Sequence, residues 1–467
     1  MRSSHDAPGQ PRPDDLLVVG GGLAGLTAAV VAARGGLRVR LLDGGPEVGG
    51  RARTDDLDGL LLNQGPHALY LDGAARRELR ALGIDPDGAV PPLGGMGVFD
   101  GEISALPFGP ATMVRSRLLG SRAKFGFARF QAGLSRLAAD AAPGGSRHVE
   151  LAHATVDQFL DGLTGHRDLR AMLAGVIRLS TYANAPERMS AGSAIQQLQL
   201  AMGGVRYLHQ GWAALVAELA AAAEAAGVVS ESRRRVGSVR PASGGGWSGG
   251  GWSVVIDGDG PEQARARIAP QVVLAGLAPE AVERIVDLPA GSLRAQVGPS
   301  VEAACLDLEL AETPSTTFAL DLDHHFYLSA HAPLAELAPA GRSLVSAAWY
   351  RPVDADEPAN TDGDGPARDL EAFAVSMGAG PPLRRRYLHS MTVAHGVPLA
   401  ERGGLGGRPP VDGLAVGSRL DGAGGLWLAG DWVGDEGFLA DAAVASAVSA
   451  ARRAVTAATS PSSTVAA

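Results

Sequence analysis

Three glycines, Gly20, Gly22 and Gly25, stand at the spacing G-x-G-x-x-G, and Asp43 follows 18 residues after the last of them. The chemistry open to such a set is to hold a dinucleotide. Gly20 permits a tight turn, Gly22 lets a pyrophosphate approach the backbone, and Gly25 lets a helix pack close to a strand. The first helical residues, Leu23 and Ala24, then offer unpaired N–H groups and a partial positive charge to phosphate. A carboxylate at Asp43 can accept both hydroxyls of an adenosine ribose and disfavours a 2'-phosphate. His67, in Asn63-Gln64-Gly65-Pro66-His67, is a side chain that could act as acid, base or orienting donor. A hydrogen-bonded structural histidine explains it equally well.

The elements that must position these residues are legible around them. Leu16-Leu17-Val18-Val19 is a continuous apolar run, as in a strand buried on both faces of a parallel sheet. Leu23 to Arg34 is rich in Ala, Leu and Val and reads as a helix packed on that sheet. Leu37 to Leu42 makes a second strand ending at Asp43. Near the other end of the chain, Leu426 to Ala429 reads as a strand leading to Gly430 and Asp431, with a helix from Ala440 to Val455 behind it.

Composition bounds the function. At 467 residues the chain should fold as two or three packed units. The formal net charge of -9 argues against nucleic acid as a partner, because a phosphate backbone selects for a basic face. Cys305 is the single cysteine, which excludes a disulfide framework or a thiolate metal cluster within the chain. His324, His325 and His331 have no ligand-spaced partners and read as structural. The polar stretches 1–15 and 457–467 read as tails, and Gly244 to Trp252 as a flexible hairpin tip. With one cysteine, a polar start and no apolar run of spanning length, a cytoplasmic protein is expected.

At the glycine turn, at Gly49-Gly50-Arg51-Ala52-Arg53-Thr54 and at Leu426-Trp427-Leu428-Ala429-Gly430-Asp431, the sequence resembles a flavoprotein superfamily. It is the one that contains amine oxidases, protoporphyrinogen oxidases and the phytoene and hydroxysqualene desaturases. The resemblance implies noncovalent FAD, with Gly50 and Arg51 along the pyrophosphate and flavin, and Gly430 and Asp431 at the ribityl and phosphate region. It also implies Val236 as an adenine contact and a return to the flavin domain at Gln210-Gly211-Trp212, where the family usually has glycine in place of Gln210. The implied fold is α/β: a Rossmann-type FAD-binding domain with an inserted α+β substrate-binding domain. FAD-domain pieces would occupy 16–69, 205–291 and 410–456, and substrate-domain pieces 70–204, mostly helical, and 292–409, mostly antiparallel sheet.

The substrate is read from smaller differences. Amine oxidases of this superfamily usually keep a lysine near the flavin, whereas Lys124 is the only lysine here. Gly430-Asp431-Trp432 looks more like the carotenoid and squalene-type desaturases, which implies an apolar substrate giving a hydride to FAD, with oxygen or a quinone as electron acceptor. Amine oxidation, porphyrinogen oxidation and a catalytically idle FAD-binding protein are the alternatives. Tyr182, Trp349 and Tyr350 are candidate pocket residues, with core packing as the competing reading. One segment, 113–137, runs against the acidic balance of the chain: Arg115, Arg117, Arg122, Lys124, Arg129 and Arg136 are interleaved with Phe125, Phe127 and Phe130. Such a stretch suits peripheral contact with a membrane, or is the solvated face of an arginine-rich helical pair.

Overall fold

A computed structural model describes residues 14–242, 251–257, 265–353, 365–414 and 425–459. Residues 244–250 of the expected hairpin tip lie outside them, as do 1–13 and 460–467. Trp252, by contrast, opens the strand Trp252–Ile256 and is fully buried. Two residues expected in the first tail are tied to the sheet: Asp14 pairs with Arg40 and Asp15 with Arg38. The last helix runs Leu439–Thr459, beyond the expected end at 456.

Four mostly apolar strands and a short polar edge strand build a parallel five-stranded sheet in the order Val229–Glu231, Val39–Leu42, Leu16–Val19, Gln271–Ala275, Leu426–Ala429. Leu16, Leu17 and Val18 are wholly buried, as in a parallel sheet covered on both faces. The helix Leu23–Arg34 packs on this sheet and on Leu439–Thr459, whose alanines allow a close approach. A small antiparallel sheet, Val236–Pro241, Trp252–Ile256 and Arg265–Ala269, sits on the same core.

The second layer is a seven-stranded sheet in which Arg384–Ala394, Val301–Leu310, Ser343–Tyr350, Phe326–Ala332 and Phe318–Asp321 run antiparallel. The hairpin Met96–Phe99 and Glu102–Ala105 completes it, joining through a parallel pair with Phe318–Asp321. That hairpin falls in a stretch expected to be mostly helical. One face of the sheet packs on the helices Ser121–Ala141, Arg167–Thr181 and Ala191–Ala201, and the other on Gly365–Ser376. His324 and His325 lie in the turn before Phe326, whereas His331 is within the strand Phe326–Ala332.

Candidate dinucleotide and substrate site

The three glycines of the turn are glycines for different reasons. Gly20 has φ +104°, and a β-carbon there would lie 2.1 Å from the Ala275 carbonyl oxygen. A β-carbon on Gly25 would lie 1.7 Å from the Gly20 carbonyl oxygen. Both are demanded by the protein's own packing. Gly22 is not: with φ -76°, its β-carbon would meet nothing nearer than the Gly49 carbonyl oxygen at 3.8 Å. Gly22 and Gly49 form a parallel bridge, and Gly50, at φ +55°, comes next. The result is a trough of bare backbone at the start of a helix with no side-chain cap, where the amides of Leu23 and Ala24 begin. A dinucleotide pyrophosphate fits such a trough.

Asp43 closes one end. Its carboxylate accepts from the Gly21 N–H at 2.5 Å and the Gly45 N–H at 2.6 Å, and each oxygen keeps a further lone pair for a ribose. Gly21 escaped the sequence reading, yet a β-carbon there would sit 2.9 Å from Val48 and 3.0 Å from Asp43. Val236 is brought alongside because Arg234 N–H donates to the Asp43 carbonyl and Arg233 N–H to that of Gly45.

Asp431 lies at the other end and is buried. Burial alone would raise its pKa, but Arg51 and His395 hold it well below the usual carboxylate range. Arg51 Nη2 stands 3.1 Å from Asp431 Oδ1, and His395 Nδ1 is 3.0 Å from the same oxygen. The His395 N–H also donates to Asp431 Oδ2. His395 left no sequence signal, since its partners lie 36 and 344 residues away. Gly430 N–H donates to Ser446 Oγ, which fixes the strand end to the last helix.

Between these ends, Asn63 Oδ1 accepts from Trp212 N–H and Thr54 Oγ1 from Ala213 N–H. Gln210 takes φ +60° and Gly211 φ +74°, so the glycine usual at Gln210 has a plain steric basis. His67 Nδ1 faces the Gly65 carbonyl at 3.0 Å, and its ring stands edge-on to Trp212. Burial, followed by the nearby Arg51 and Arg386 charges, lowers its pKa despite hydrogen bonds to backbone, so the imidazole is neutral at pH 7.

Beside His67, Ala68 and Tyr70 enter a cavity of about 630 Å³ between the two layers. Phe127, Phe130, Tyr182, Tyr207, Phe318 and Tyr327 contribute aromatic walls, and no Asp, Glu, Lys, Arg or His lines it among the described residues. Tyr182, one of the three candidates, lines the cavity. Tyr350 stands behind it, ring centroids 6.0 Å apart, and Trp349 packs toward the opposite face of the sheet under Arg351. Neither of the latter two reaches the cavity, because successive strand residues point to opposite faces and a tyrosine layer intervenes. His331 stacks on Tyr207 at 4.2 Å, and burial pushes its pKa down to about 3.

Residues 18–82 match the family model of an NAD(P)-binding Rossmann-like domain. Among curated proteins, the chain is similar to coproporphyrinogen III oxidase of Propionibacterium freudenreichii subsp. freudenreichii, 35% identical over 124 residues, 25% of this chain and 23% of that protein. It is also similar to L-amino-acid oxidase of Bungarus fasciatus, 48% identical over 59 residues, 12% and 11% of the two chains. Carotenoid 3,4-desaturase of Haloarcula japonica is 36% identical over 73 residues, 16% and 15%. The matched segments thus span less than a quarter of each relative's length. The whole fold is shared more widely: cyclohexylamine oxidase from Brevibacterium oxydans aligns with a TM-score of 0.69 at 16% identity, over 96% of this chain and 100% of that one. The chain has the fold of cyclohexylamine oxidase, and its short matches among curated proteins are to two oxidases and a desaturase.

Proposed function

We propose that this chain is an FAD-dependent oxidoreductase that takes a hydride from an apolar, uncharged organic substrate, in the manner of a desaturase. The observation that carries the substrate half is that, among the described residues, no charged side chain lines the cavity. A substrate ammonium or carboxylate buried there would lose its hydration without a counter-charge, which costs several kcal/mol per ion. The cofactor half rests on the bare trough at Gly22, Gly49 and Gly50, with Asp43 and Asp431 at its ends. Gly22, Leu23 and Ala24 would meet the pyrophosphate, Asp43 the adenosine ribose, Val236 the adenine, and Gly50, Arg51, Gly430 and Asp431 the flavin side. FAD, when bound noncovalently, supplies the hydride acceptor, and oxygen or a quinone can then take the electrons.

The residues of the chain do the rest. Phe127, Phe130 and Tyr327 exclude water and orient an extended substrate; His67 stands beside the cavity without lining it, so as proton acceptor it would reach the neighbouring carbon only through one relaying water. Loss of hydride and proton from adjacent carbons leaves a carbon–carbon double bond. Amine oxidation is the second reading, favoured by Tyr70, Tyr182, Tyr207 and Tyr327 in the cavity, whose ring faces could meet an ammonium group. Titration of the holoprotein separates the two: a neutral isoprenoid should perturb the visible flavin spectrum and a primary amine should not. The opposite preference would overturn the reading. Denaturation should release a yellow chromophore bearing adenine, and release of FMN would overturn the cofactor assignment.

A further inference from the structure

The helix Ser121–Ala141 has two faces with different tasks. Phe127, Phe130, Gln131 and Leu134 line the cavity. Arg122, Phe125, Arg129 and Arg136, at spacings of three, four and seven, share the opposite, solvent face. Phe125 is 73% exposed there, and Val114, on the preceding helix Pro110–Arg115, is 78% exposed. Lys124 Nζ donates to the Val114 carbonyl, tying the two helices together. Arg117 pairs with Glu102, and Arg136 reaches Asp140 only at 4.0 Å. Arg115, Arg122 and Arg129 make no ion pair among the described residues. Leu93, which lines the same cavity, is 80% exposed, and Val90 and Met202 beside it are also exposed.

We propose that this face docks on an anionic lipid bilayer and that the cavity fills from that surface; the second half rests on the reading of the cavity as the substrate site. Free cations flanking exposed large apolar side chains match anionic headgroups over an acyl boundary. A nucleic acid would use the arginines but leave Phe125 and Val114 in water. No helix among the described residues is long and apolar enough to cross a membrane, so the contact is with the surface. The cavity-facing side of Ser121–Ala141 lies about one helix diameter, roughly 10 Å, from the docked face. Leu93 and Val90 then give an apolar rim for an apolar compound leaving the bilayer.

Flotation of the FAD-loaded chain with phosphatidylcholine–phosphatidylglycerol vesicles, against phosphatidylcholine alone, tests the docking without any substrate. The chain should float with the anionic vesicles at low salt and be released at high salt. Each cation near such a surface changes partitioning roughly fivefold, so Arg122→Glu with Arg129→Glu should lower it at least about 25-fold. Phe125→Ser should lower it about fivefold at any salt, with flavin content unchanged in every variant. Failure to float, variants that float like the wild type, or tighter binding to a DNA duplex than to the vesicles would overturn the docking. An isoprenoid that reduces the flavin from detergent micelles but not from vesicles would overturn the loading route and leave the cavity reading standing.

Discussion

Gly22 and Gly25 belong to one turn, yet substitution should separate them. A side chain at Gly25 collides with the Gly20 carbonyl, so Gly25→Val should prevent folding. A β-carbon at Gly22 meets no protein atom closely, so Gly22→Val should give a folded chain, by circular dichroism, that binds no FAD. Folded Gly22→Val protein with wild-type affinity would show that the trough is not the pyrophosphate site. Asp43→Ala should weaken FAD binding about 10- to 100-fold, the effect of losing one charged hydrogen-bond acceptor worth about 1.5 to 3 kcal/mol. Unchanged affinity by flavin fluorescence titration would remove Asp43 from the site. The spacing of the glycines was readable because each steric demand falls within a few residues of the next. The Arg51–Asp431–His395 cluster was only half readable: the motifs pointed to Arg51 and Asp431, but nothing local marks His395 as their partner.

At the scale of elements, Asp441 joins two helix starts. It sits in the first turn of Leu439–Thr459, and its Oδ1 accepts from the Ala75 N–H of the helix Ala74–Ala81. Burial, with Glu436 adding to it and Ala75 and Arg77 opposing, raises its pKa to about 6. The folded value thus lies above the unfolded one of about 4. The group's contribution to stability is complete below pH 4 and is lost as pH rises to about 6. Two pKa units correspond to about 3 kcal/mol, net of the Ala75 hydrogen bond, and an amide whose NH2 finds no partner where Oδ2 now has none recovers only part of it. Asp441→Asn keeps the acceptor for Ala75 and should raise stability by about 1 to 2 kcal/mol at pH 7.5, with no gain at pH 4. Denaturant melts at the two pH values check this, and a gain confined to pH 4 would contradict it. The buried parallel strands were legible as unbroken apolar runs, because both of their faces are covered. The hairpin Met96–Phe99 and Glu102–Ala105 was not, since it is short, carries Gly97 and Glu102, and gains its place only by pairing with a strand more than 200 residues later.

On the scale of the whole molecule, the cavity exists only where distant segments converge. Tyr70, Tyr182, Tyr207 and Tyr327 come from four separate stretches, and nothing in their local sequence distinguishes a pocket wall from core packing. Absence of charge is likewise a property of the assembled surface, so the sequence pointed to an apolar substrate only through the missing lysine and the Gly430-Asp431-Trp432 form. The central claim is that an uncharged, apolar compound reduces the flavin. Anaerobic mixing of the holoprotein with stoichiometric isoprenoids, primary amines and porphyrinogens, followed at about 450 nm where oxidised flavin absorbs, tests it directly. The account predicts bleaching by a neutral isoprenoid and none by an amine or a carboxylated porphyrinogen. Bleaching by an amine or a porphyrinogen alone, or by no compound while FAD stays bound, would contradict it.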